Sequence, residues 1–174
     1  GTGEVLSLGN FGFPSVSNAP ATPGEYEYWN SFTEGATISP GGVYVIAHPS
    51  AVDAILAEAD QTHQYLSNGD DGYCLVYGTE DNYALVDCIG DYQADPGSGW
   101  AVAGVDNATS NHTLIRKPDI LDGNDGDWSA SAGTDSENSE WIVMDSDDWS
   151  NYGEHSAIGT CSTDVEEEEE VLVE

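Results

Sequence analysis

A chain of 174 residues, 39% apolar and 10% aromatic, is long enough for one domain with its own core and too rich in Trp and Tyr for a wholly disordered acidic polymer. Against 33 Asp and Glu stand only Arg116 and Lys117, giving a net charge of −31. This balance excludes direct nucleic-acid binding, which needs a basic stripe to release counterions. Membrane insertion is not expected either, because no apolar run approaches the roughly 20 residues of a bilayer span. So acidic a surface is tolerated in salty water, where screening acts within about 10 Å, or with divalent cations, and both point to an extracellular setting.

Short apolar runs punctuated by Gly, Pro, Asn and Asp give the spacing of an all-β sandwich or barrel. The first aromatic segment, Glu25-Tyr-Glu-Tyr-Trp29, alternates and reads either as core or edge packing or as a face for a carbohydrate or partner chain. Val43 to Ala47 reads as a strand entered through the Pro40-Gly41-Gly42 turn. From Ser50 to Ala59, Val52, Ile55, Leu56 and Ala59 fall at helical spacing behind Pro49-Ser50, which predicts one short helix on the rim. Asn68-Gly-Asp-Asp71 reads as a tight turn, with a calcium role as the alternative.

Tyr73–Tyr77 and Tyr83–Ile89 form a predicted hairpin across Gly78–Asn82. With its loop centred near Asp81, Cys74 and Cys88 face each other, so a disulfide between them is expected and Cys161 is left over. Trp100–Val105, Thr113–Arg116 and Trp141–Met144 read as further strands. Between them, Asn107-Ala-Thr109 and Asn111-His-Thr113 are candidate glycosylation sequons at Asn107 and Asn111.

Ile120 to Asn138 reads as a long acidic loop pinned by Trp128. Within it Asp122, Asn124, Asp125 and Asp127 alternate oxygen-bearing side chains with glycines, the pattern a hard cation such as Ca²⁺ takes. Gly133 stands at the twelfth position in place of a glutamate, so the loop is no EF-hand, and a plain flexible loop is the other reading.

No constellation stands out for catalysis. The histidines at 48, 63, 112 and 155 have no metal-ligand spacing, and Gly97-Ser98-Gly99 is not a nucleophile elbow. A non-enzymatic role is therefore expected. Composition shifts after Ser156, dividing the chain into a body, 1–156, and an acidic tail, 157–174. The tail carries five consecutive glutamates and ends in Val171-Leu-Val-Glu174.

Several segments of the body resemble the lamin tail domain found in secreted bacterial and algal proteins. They are Ile38-Ser-Pro-Gly-Gly-Val-Tyr-Val-Ile-Ala47, Ala54-Ile-Leu-Ala-Glu-Ala-Asp60, Leu66-Ser-Asn-Gly-Asp-Asp71, Val86-Asp-Cys-Ile-Gly90, Pro96-Gly-Ser-Gly-Trp100, His112-Thr-Leu-Ile-Arg-Lys117, Glu140-Trp141 and Tyr152-Gly-Glu-His155. The elements follow the family's order from about Leu6 to Ser156. The resemblance implies an immunoglobulin-like β-sandwich with long acidic loops, acting as a binding or attachment module without an active site. The family's opening strand has no counterpart before Gly1-Thr-Gly-Glu, and Val171–Glu174 has that strand's alternation. Arg116, at the end of a strand, is expected to pair with carboxylates and fix a loop. Two functions follow. The first is an extracellular structural module that self-associates into homo-oligomers or filaments, Val171, Leu172 and Val173 donating a strand and Arg116 and Lys117 docking on a neighbour's acidic face. The alternative is a calcium- or glycan-binding accessory domain of a larger secreted protein.

Overall fold

A computed structural model describes residues 4–155. In chain order the elements are β1 (Leu6–Ser7), β2 (Phe11–Gly12), β3 (Ser15–Val16), β4 (Thr37–Ile38), β5 (Ile46–Ala47), α1 (Asp53–Leu56), β6 (Gln61–Thr62), β7 (Gly72–Thr79), β8 (Asn82–Ile89), β9 (His112–Arg116), α2 (Trp128–Ala132) and β10 (Trp141–Ser146). The architecture is mostly β, in several sheets that are antiparallel apart from the parallel pair β5–β6. Among the described residues no helix is long and apolar enough to cross a membrane.

The predicted hairpin is the centre of the fold. Strand β7 pairs antiparallel with β8 on one edge and with the interrupted strand β2–β3 on the other. Alternation in β7 buries Gly72, Cys74 and Val76 on one face. Thr79 pairs with Asn82, closing a tight turn through Glu80 and Asp81. Gly78, at φ 134°, makes that closure possible, because a Cβ there would stand 2.3 Å from the Asn82 carbonyl oxygen.

A bulge sets the phase of β8. Leu75 pairs with Asp87 and Val76 with Leu85, so Val86 is the extra residue. Uninterrupted alternation from Cys88 would turn Val86 and Ala84 inward. The bulge instead brings Leu85 and Tyr83 against the cluster of Val16, Cys74, Val76, Cys88 and Tyr92. Cys74 and Cys88 are direct cross-strand partners and form the expected disulfide.

A second core lies under β9 and β10, where Trp141 pairs with Arg116 and Val143 with Leu114. It gathers Val102, Ala108, Trp128, Ala132 and Trp141, with the Trp128 ring centroid 6.2 Å from that of Trp141 and 6.5 Å from that of Trp100.

Local structure departs from the sequence reading in four places. The strand expected over Val43–Ala47 is confined to Ile46–Ala47. The helix expected over Ser50–Ala59 shrinks to Asp53–Leu56, which has no side-chain N-cap bond and buries none of its residues. The segment Ile120–Asn138 is not all loop: Asp127 caps the second helix, its Oδ1 accepting from Ala130 N at 3.0 Å, and Trp128 and Ala132 go into the core. Trp100–Val105 is a reverse turn rather than a strand; Ala103 and Gly104 have φ of 54° and 81°, and Val102 bridges Val105.

Candidate functional site

The two cores meet where the loop before α2 lies against β8, and the residues singled out for metal binding are at this seam. Asn124 acts as a backbone clamp. Its Oδ1 accepts from Cys88 N–H (2.9 Å) and Gly126 N–H (3.1 Å), and its Nδ2 donates to the Cys88 carbonyl (2.8 Å). The Val86 carbonyl at the bulge accepts from Asp125 N–H. Asn124 and Asp127 thus direct side-chain oxygens at backbone amides, while Asp122 and Asp125 make no side-chain hydrogen bond among the described residues. Nor does any group of three or more His, Cys, Asp and Glu gather to hold a metal ion there.

The clamp makes opposite demands from a cation loop. Asn124→Ala removes three hydrogen bonds and leaves both Cys88 backbone groups short of a partner, an expected loss of about 2 kcal/mol in urea unfolding. Asn124→Asp retains the acceptor but faces the Cys88 carbonyl with a carboxylate, so it should also destabilise. If Asn124→Asp instead tightened calcium binding at unchanged stability, the loop would be a cation site.

Arg116 crosses the same seam. Its guanidinium donates to Glu140 and Asp87 and stacks over Trp141, Cζ lying 4.2 Å from the ring centroid. The side chain is 11% exposed, so most of this charge is enclosed within the fold. Lys117 Nζ donates to the Ser136 carbonyl at 2.8 Å. Asn107 and Asn111 are exposed, both at positive φ, and Thr109 Oγ1 of the first sequon donates to the Gly69 carbonyl. In the Asn68–Asp71 turn, Ser67 Oγ accepts from Gly69 and Asp71 N–H, and Asp70 is buried with no partner for Oδ1. Cys161, Val171, Leu172 and Val173 lie outside the described residues.

On the other side of the hairpin sheet opens a cleft of about 740 Å³. It divides the segment Glu25–Trp29. Tyr26 and Trp29 pack with Tyr83 against the disulfide core, while Tyr28, 57% exposed, lines the cleft. Also lining it are Tyr65, 75% exposed, and Tyr73, which donates its hydroxyl to the Tyr65 carbonyl. His63 is held edge-on between Phe13 and Tyr65, at centroid distances of 5.4 and 5.9 Å. Its Nε2 is buried without a partner among the described residues, and desolvation lowers its pKa, favouring the neutral ring.

Three carboxylates complete the lining. Glu27 accepts from Ser17 and Ala21 N–H, both at 3.0 Å, and Asp71 accepts from Asn18 N–H at 2.9 Å. Glu80, at the hairpin turn, contributes its carbonyl to the Tyr26 hydroxyl and has no partner for its carboxylate among the described residues. Sequence reading reached Tyr28 through its alternating segment. It weighed His63 only as one of four histidines without metal-ligand spacing, and it missed Glu80 and Tyr65, the latter signalled only as an aromatic in a polar stretch with no apolar periodicity around it. No family model, curated protein or solved structure matches this chain.

Proposed function

We propose that this chain is a non-catalytic extracellular recognition module that binds a glycan in the cleft lined by Tyr28 and Tyr65. The observation that carries this reading is one open groove lined by two exposed tyrosines, Tyr28 and Tyr65, together with carboxylate side chains. Sugar rings present a C–H face that packs on an aromatic ring and hydroxyls that bond to carboxylates. The groove's volume falls in the range of ligand sites. Glu27 and Asp71 are both engaged by backbone amides, an arrangement suited to orienting a ligand rather than to exchanging protons with it.

The Cys74–Cys88 disulfide is compatible with an oxidising, extracellular location. The lamin-tail kinship and its immunoglobulin-like sandwich belong to this proposal, supported by the ordered motifs of the sequence and the β-rich architecture. The assembly role of the tail rests on residues outside those described.

Affinity electrophoresis on a panel of soluble polysaccharides tests the reading. At least one should retard the protein, and Tyr28→Ala or Tyr65→Ala should each weaken that binding about tenfold, as loss of a central aromatic anchor does. Retardation that survives both substitutions would place the site elsewhere.

A further inference from the structure

Granting that the cleft binds a glycan, we infer that its ligand is an amino-sugar polymer carrying free ammonium groups. Glu27, Asp71 and Glu80 line one groove. A carboxylate has about four acceptor sites; among the described residues Glu27 uses two, Asp71 one, and the carboxylate of Glu80 none. The chain's two cationic side chains do not line the cleft. Arg116 serves Asp87 and Glu140, and Lys117 the Ser136 carbonyl.

A sulfated or uronic-acid polymer would bring its charge against three carboxylates with no counter-cation. A neutral sugar would fill the cleft beside the tyrosines but would dehydrate the carboxylates with hydroxyls alone. A protonated amine satisfies both surfaces. Its N–H groups donate charge-assisted hydrogen bonds to the carboxylates, and the cation is attracted to the electron-rich faces of Tyr28 and Tyr65. Charge and aromatic stacking then select the same ligand, an extended sugar chain with ammonium groups.

Calorimetry with two glucosamine oligomers of equal length, one with free amines and one fully N-acetylated, decides the matter under mildly acidic conditions that keep the amines charged. The aminated oligomer should bind about tenfold tighter at low salt, an advantage that shrinks in roughly 0.5 M NaCl. Glu80→Gln, at an exposed turn, should weaken the aminated oligomer about threefold more than the acetylated one. Equal affinities, both reduced by Tyr28→Ala, would overturn the ammonium inference while leaving glycan binding in place. A preference for amines undiminished in the Glu80→Gln protein would also overturn it, as general attraction to a surface of charge −31. Failure of both oligomers and of every other polysaccharide would remove the glycan reading itself.

Discussion

Arg116→Met is expected to lower the unfolding free energy by about 3 kcal/mol, the lower end of the range for breaking an enclosed ion pair. The lower end applies because the two carboxylates keep some contact with solvent, Asp87 being 33% and Glu140 31% exposed, whereas the guanidinium is 11% exposed. Methionine fills much of the volume over Trp141 but leaves two negative side chains facing each other without their shared cation. Their repulsion is the larger part of the penalty, so adding Asp87→Asn and Glu140→Gln to Arg116→Met should restore most of the loss. Urea unfolding of the single and triple variants measures both effects. A single variant as stable as the parent would mean that the seam between the cores does not depend on this charge.

Removing the Cys74–Cys88 bridge should have an effect of similar size. The bond closes a loop with a sequence separation of 14 residues, worth roughly 3 kcal/mol in the chain-entropy account. Both sulfurs are buried between Val16, Val76 and Tyr92, so Cys74→Ala/Cys88→Ala also leaves a small void. The comparison to make is the denaturant midpoint of the oxidised protein, the reduced protein and the double variant. The reduced protein separates the effect of the cross-link from that of the void. If all three unfold at one midpoint, the hairpin's turn and bulge already hold the two strands in register.

What the sequence disclosed follows from where apolar runs are bounded by turn residues. Tyr73–Tyr77 is such a run, closed by Gly78, and so that strand, its partner and the facing cysteines were legible. Beyond Asp87 the signal fails, because the bulge at Val86 inverts the phase and nothing in Leu-Val-Asp marks which residue is extra. Helix α2 escaped notice because five residues are too few to show a helical period. Asp127, which caps it, also sits in a run of oxygen-bearing side chains that suits a cation equally well. The cleft was the least legible feature. Ser15, Tyr28, His63, Asp71 and Glu80 come from five separate stretches and are neighbours only through the strand pairing. The pairing of Arg116 with carboxylates was legible from its place at a strand end in so acidic a chain, but its enclosure against Trp141 was not.

The Asn124 clamp has a consequence for local opening. The Cys88 amide proton is held by a side chain from a loop 36 positions along the chain, while its neighbours in the hairpin are held by the ladder. Exchange of that one proton with solvent therefore reports undocking of the loop from the sheet edge, a smaller excursion than unravelling of the hairpin. While the loop is docked, its side-chain amide occupies the backbone positions through which a strand of another chain would add to β8. Exchange at Cys88 thus reports how much of the protein has that edge open to another strand, and Asn124 is the latch that keeps it closed.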